Sequence, residues 1–208
     1  MPNETDLETA REIFLNIKTL LSRDKYQDNI SEFETALKRL ITQYDTSNWE
    51  NRFVVGGAVE ILFCAFLNSI GLGCERLKET TRYDLCIKGI DFSLKSNFTG
   101  SGDIRLINIL GGQPVPWQEP TIFFISGLGI CYADPQMGLK TSDKRDAAVI
   151  NVREIKALLE DDDRWAIPID IPRKPKSPNQ IRVASYDVAR AILEEIGSKY
   201  LKNHLPTD

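Results

Sequence analysis

Apolar residues recur at helical spacing through the first third of the chain and change to the shorter period of strands beyond residue 83. Leu7, Ala10, Ile13, Phe14, Ile17, Leu20 and Leu21 share one face of a helix predicted over residues 5–23. A second helix is expected from Ser31, where Ser31-Glu-Phe-Glu34 reads as a capping box and Phe33, Leu37, Leu40 and Ile41 turn inward. Together they predict an N-terminal helical hairpin that packs against the core. Residues 52–70 are apolar on nearly every side and end at Gly71, which predicts a buried helix. Glu60 is its one acidic residue. A carboxylate there is costly unless it is paired, bound to a metal or placed on a narrow exposed strip.

The stretch from Arg82 to Asn97 reads as a β-hairpin with a tight turn at Lys88-Gly89, flanked by Ile87 and Ile90. Counting outward puts Asp84 opposite Ser93 and Lys95 one diagonal step away. Directly opposed side chains are roughly 5 Å apart at Cβ, and diagonal ones roughly 7–8 Å. Further strands are expected over residues 103–110, closed by Gly111-Gly112, and over 121–126 and 130–133. Residues 133–146 read as a polar loop. A short strand over 147–152 runs into a helix capped by Asn151. Asp161-Asp162-Asp163 reads as a solvated turn, and the proline-rich, basic residues 168–178 as an extended loop. A last helix is expected from a Ser185 cap to about Leu201. This order predicts one α/β domain of mixed α+β character over residues 1–208, with a central mixed β-sheet flanked by helices. Its parts are the helical hairpin (1–48), a core (49–135), and the remaining strands, basic loops and C-terminal helix (136–208).

Length and composition narrow the function. A chain of 208 residues carries one good core. Cys64, Cys74, Cys86 and Cys131 are widely spaced and His204 is the single histidine, so a zinc site lacks ligands and buried free thiols in a reducing compartment are expected. No apolar run is read as reaching membrane length, and the opening Met1-Pro-Asn-Glu-Thr-Asp is polar and acidic, which points to a cytoplasmic protein without a membrane partner. The net charge of −4 speaks against a surface coated in positive charge, but nucleic-acid binding needs only a local basic patch.

A carboxylate and an ammonium held close on rigid strands suit metal-dependent hydrolysis; the simpler reading is a cross-strand ion pair worth under about 1 kcal/mol. From the Glu60 helix through Gly71-Leu-Gly73, Arg-Tyr-Asp84 and Ser93-Leu-Lys95, the chain resembles the PD-(D/E)XK nuclease superfamily, which includes type II restriction endonucleases and Holliday-junction resolvases. The resemblance covers roughly residues 52–130 and implies a restriction-endonuclease-like core. It implies that Asp84 is a metal ligand, although Tyr83 stands where the family has proline. It implies that Lys95 is the motif lysine. Ser93 stands where a second carboxylate is expected, and some members with serine there recruit an acid from a helix. Glu60 is the first candidate for that acid. Asp91 is the second, on the face of Ser93 and Lys95 but roughly 13 Å along the strand from Lys95.

The implied activity is Mg²⁺-dependent, sequence-specific cleavage of double-stranded DNA by a homodimer, since two strands need two sites. A resolvase or repair nuclease, or an inactive nucleic-acid-binding relative, are the alternatives. Candidate DNA contacts are Ser96, Asn97 and Thr99 after Lys95, Arg105 on the next strand, Lys140, Lys144 and Arg145 in the polar loop, and Arg173, Lys174 and Lys176 in the densest basic run.

Overall fold

The computed structural model describes residues 4–46, 49–77, 83–108, 116–144, 147–174 and 183–207. The N-terminal hairpin consists of α1 (Glu4–Leu21) and α2 (Gln27–Gln43), joined by a 3-10 turn at Asp24–Tyr26. The expected start at Ser31 is corrected: α2 begins four residues earlier. The 3-10 turn runs straight into the helix, so Ser31 and Glu34 lie inside it and form no capping box. Ser31 offers its carbonyl to Thr35 Oγ, and Glu34 accepts the Asp170 N–H at 3.1 Å. Elsewhere on α2, Glu32 accepts the Ser198 hydroxyl and the amides of Lys199, Tyr200 and Leu201. From α1, Arg11 donates two bonds of 2.7 Å to Asp134, a fully buried carboxylate that also receives the Tyr132 hydroxyl.

α3 (Trp49–Ser69) is the central helix, with every side chain from Ile61 to Leu67 buried. Contrary to the expectation from sequence, Asn51–Ser69 is long and apolar enough by length and composition to cross a membrane. Within the fold 61% of that window is buried, as in the core helix of a folded domain.

The fold is mixed α/β. Its main sheet has six strands in the order β1 (Cys74–Arg76), β2 (Leu85–Ile87), β3 (Ile90–Asn97), β5 (Thr121–Ile125), β6 (Gly129–Ala133) and β9 (Ala166–Ile167). Among the described residues of this sheet only β3 and β5 run parallel; the remaining pairs are antiparallel. A parallel pair needs a crossover, and here the chain leaves the sheet through β4 (Asp103–Asn108). That strand belongs to a second sheet of order β4-β8-β7, with β7 at Thr141–Lys144 and β8 at Ala147–Asn151. One face of the main sheet, including Leu85, Phe92, Leu94, Ile122, Phe124 and Tyr132, joins the helical core of α1, α2 and α3. The other contributes Phe123, Ile125, Cys131 and Ala133 to a second core with Ile104, Leu106, Ile150 and Ile155. The site thus stands on a sheet buried from both sides toward its centre.

The polar loop expected over 133–146 is instead a 3-10 turn at Pro135–Met137 followed by strand β7. Residues 141–143 are all exposed, so backbone pairing with β8 makes the strand and no apolar alternation reveals it. Asn151 caps α4 (Val152–Asp161), as expected, by accepting the Arg153 N–H. The three aspartates close that helix, and Asp162 pairs with Arg164 in solvent. The last helix, α5 (Ser185–Glu195), stops short of Leu201. Gly197 adopts a φ of +65°, and Ser198 N–H returns to the Leu193 carbonyl, which closes the helix end. Ser185 is helical rather than the cap; its side chain packs against Gly57 of α3, where a Cβ would lie 2.5 Å from Ser185 Oγ.

Candidate active site

The hairpin turns where the sequence puts it. Lys88 and Gly89 both take left-handed φ, +51° and +84°, the combination a two-residue turn requires between right-twisted strands. Ile87 pairs with Ile90, Cys86 with Asp91 and Leu85 with Phe92, so Asp84 continues the ladder opposite Ser93. The Asp84 N–H donates to the Phe92 carbonyl at 2.9 Å, which fixes the backbone just ahead of β2. On the other side, β3 is held by β5 in parallel register, Ser93 beside Thr121 and Lys95 beside Phe123.

Three donors meet on one oxygen. Asp84 Oδ2 accepts the Leu94 N–H at 2.5 Å, the Ser93 hydroxyl at 3.2 Å and the Lys95 ammonium at 3.2 Å. Among the described residues no donor reaches Oδ1. The Lys95 ammonium also donates to the Leu94 carbonyl at 3.0 Å, so one cation sits between a carboxylate oxygen and a main-chain oxygen. Asp84 and Lys95 are about a quarter exposed, 26% and 24%, so the pair opens to solvent. Ser93 is buried, and its hydroxyl orients the carboxylate.

Glu60 belongs to the same neighbourhood. Burial, and then the Asp84 charge, push its carboxyl up to about 7, while Arg76 and Lys95 pull the other way. Its Oε2 accepts from Arg76 Nε at 3.2 Å, and both side chains are 18% exposed. Asp91 is exposed at the turn end of β3; burial, and then the neighbouring Asp91 carboxylate, push the Cys86 thiol's pKa up.

No family model, curated protein or solved structure matches the chain. The chemistry therefore has to be read from the arrangement itself. Its donors are hard oxygens: the Asp84 carboxylate, the Leu94 carbonyl and, on α3, the Glu60 carboxylate. Among the described residues no three histidines, cysteines or acids gather round one point. Zinc normally requires such a closed set. Mg²⁺ does not, because it keeps several waters and binds through one or two carboxylates and substrate oxygens. The Asp84 carboxylate, the Leu94 carbonyl and the Glu60 carboxylate are oxygen donors of the type Mg²⁺ takes, and the Lys95 ammonium lies against the first two.

The basic candidates divide. Asn97 accepts from the Thr99 N–H, the Thr99 hydroxyl and the Gly100 N–H, and donates to the Ser101 carbonyl. Asn97 and Thr99 thus build the turn after β3, and Ser96 is half-buried in that strand. Lys174 N–H donates to the Phe98 carbonyl at 3.0 Å, and a Cβ on Gly100 would lie 3.8 Å from Arg173 Nε, so the basic segment runs beside this turn. Arg173 is exposed, while Lys174 lies 4.0 Å from Asp45. Arg105 is exposed on β4, and Lys140 is exposed where its N–H meets Glu154. Lys144 ends β7; Arg82, Arg145 and Lys176 lie outside the described residues. A cavity of about 400 Å³ opens beyond the turn, between Gly100–Gly102 and Asn151–Lys156, and does not include Asp84 or Lys95.

Arg76 is the site neighbour that sequence reasoning passed over. Residues 74–82 read as a connecting stretch, because a three-residue strand carries too little alternation to register. The available signal was electrostatic: a buried Glu60 requires a cation, and Arg76 is the first basic residue after its helix.

Proposed function

We propose that this chain is a Mg²⁺-dependent nuclease that hydrolyses phosphodiester bonds in double-stranded DNA, acting as a homodimer on specific sequences. The observation that carries the reading is the Lys95 ammonium, 3.2 Å from Asp84 Oδ2 and 3.0 Å from the Leu94 carbonyl, on a rigid hairpin open to solvent. Asp84, the Leu94 carbonyl and Glu60 would hold the cation. When bound, Mg²⁺ supplies charge neutralisation at the phosphate and an acidified water.

The chain's own groups do the rest. Ser93 and the Leu94 amide hold the Asp84 carboxylate in one orientation, so little reorganisation is needed on binding substrate. Lys95 places a positive charge where a phosphate oxygen or the attacking water would lie, suited to orienting that water and to the charge that develops in the transition state. Arg173 beside the post-β3 turn offers a backbone phosphate contact, which positions DNA without reading its bases.

The test is incubation of plasmid and branched DNA with the full chain and Mg²⁺. Discrete fragments that vanish in Asp84→Ala and Lys95→Ala support the reading. Cutting confined to branched DNA transfers it to a resolvase. An intact substrate in both arms, with Mg²⁺ or Mn²⁺, removes the enzymatic reading and leaves nucleic-acid binding through the same fold.

A further inference from the structure

Arg76 stands outside every position the sequence singles out, yet its strand is tied to both acidic residues of the site, to the Glu60 carboxylate and to the Asp84 main chain. β1 is anchored to α3 at its first residue. The Asn68 amide donates to the Cys74 carbonyl at 2.9 Å, and its Oδ1 accepts the Cys74 N–H at 2.8 Å. Two residues on, Arg76 pairs with Leu85 of β2, and the next amide, Leu77 N–H, donates to the Asp84 carbonyl at 3.0 Å. The Arg76 side chain turns to α3, where it meets Glu60. One short strand is therefore tied through its backbone to Asp84 and through one guanidinium to Glu60.

The guanidinium runs along the face of the helix that carries Gly57 and Glu60. Gly57 lies three residues before Glu60, on the turn that precedes it, and a Cβ there would lie 3.4 Å from Arg76 Nη2. Glycine is the poorest helix former after proline, and at this position it leaves space for Ser185 of α5, while Arg76 lies at ordinary contact distance. Arginine also suits the task better than lysine, because its planar head presents several donors in a fixed fork, whereas an ammonium is a compact point charge.

We propose that Arg76 is a positioning residue: it holds the Glu60 carboxylate toward Asp84 and Lys95, so that the two carboxylates bind one divalent cation together. This rests on the metal-dependent reading of the site. Without the guanidinium the Glu60 carboxylate loses the hydrogen bond that fixes its direction, and the Lys95 charge alone does not orient it. Groups that orient a metal ligand typically contribute 10–100-fold, as an order of magnitude, to metal affinity.

The test is a double-mutant cycle read by calorimetric titration of the full chain with Mn²⁺, using Arg76→Ala and Arg76→Lys, each alone and combined with Glu60→Gln. Arg76→Ala is expected to weaken Mn²⁺ binding by roughly 10–100-fold and Arg76→Lys by less. Neither should weaken it further once Glu60→Gln is present. Thermal melts identify a variant that fails to fold. If Arg76→Ala is such a variant, Arg76→Lys carries the cycle: a loss absent from the Glu60→Gln background supports the proposal, and one that persists there overturns it. Unchanged affinity in Arg76→Ala, with Glu60→Gln and Asp84→Ala both impaired, overturns the role of Arg76 alone. A wild-type chain that binds no Mn²⁺, or binds it equally after Asp84→Ala, overturns the metal site and this proposal together.

Discussion

Glu60 makes the stability of the fold depend on pH in a direction opposite to that of most carboxylates. In the unfolded chain its pKa is the ordinary 4.5; in the folded chain burial and the Asp84 charge raise it to about 7. Below pH 4.5 the group is protonated in both states and is neutral in effect. Between the two values the folded chain binds the extra proton, so stability falls as pH rises. Above about 7 it is charged in both states, and the full cost is present, about 3 kcal/mol for this displacement. Over the experimentally convenient interval from about pH 5 to 8, the change is about 2.5 kcal/mol. Glu60→Gln removes the titration and the charge on the Arg76 partner, a roughly constant offset. Urea denaturation of both proteins across that interval isolates the effect, because the difference between the two stability curves cancels every other titrating group. The variant should gain on the wild type by about 2–3 kcal/mol from the acid to the alkaline end. Parallel curves would show that Glu60 titrates normally, and would refute the burial and charge coupling argued for it.

Two further outcomes follow from geometry. Gly57→Ala drives a methyl to 2.5 Å from Ser185 Oγ and should destabilise by about 1–3 kcal/mol, whereas Gly56→Ala, with nothing within 4 Å, should stabilise by up to about 1 kcal/mol; equal shifts in chemical denaturation would contradict the close α3–α5 approach. Arg173→Ala should weaken binding to unrelated DNA sequences alike and lower the slope of log affinity against log salt by roughly one, measured by fluorescence anisotropy; an unchanged slope removes Arg173 from the backbone contacts.

Much of the fold was legible because strong periodicity and explicit punctuation coincide in this sequence. The Lys88-Gly89 turn set the hairpin register, and that register alone placed Asp84 opposite Ser93. The Asn151 cap was readable for the same reason: an Asx side chain before an amphipathic run has one obvious use. Where the sequence misled, the cause was tertiary. Ser31 has the spacing of a cap, but the 3-10 turn before it had already started the helix. Gly197 was a stop signal outweighed by the apolar residues beyond it, of which Leu201 is buried yet not helical. β7 has no inward face to advertise, so only its partner strand defines it. Glu60 could be singled out as an acid in an apolar helix, but not its partner, because which cation meets it depends on a sheet edge three residues long.

The bonds from Glu32 to Ser198–Leu201 give the helical hairpin a different standing from the appendage its position suggests. Its second helix holds the far end of the chain by four donors, across about 170 residues of sequence. Arg11 reaches Asp134 in the same manner, and Glu34 reaches Asp170. α1 and α2 thus find these partners 123 or more residues further along the sequence. Such long loop closures slow folding. Loss of residues 198–201 would strip Glu32 of its four donors and α5 of its closing bond, and would loosen α2 and α5 together.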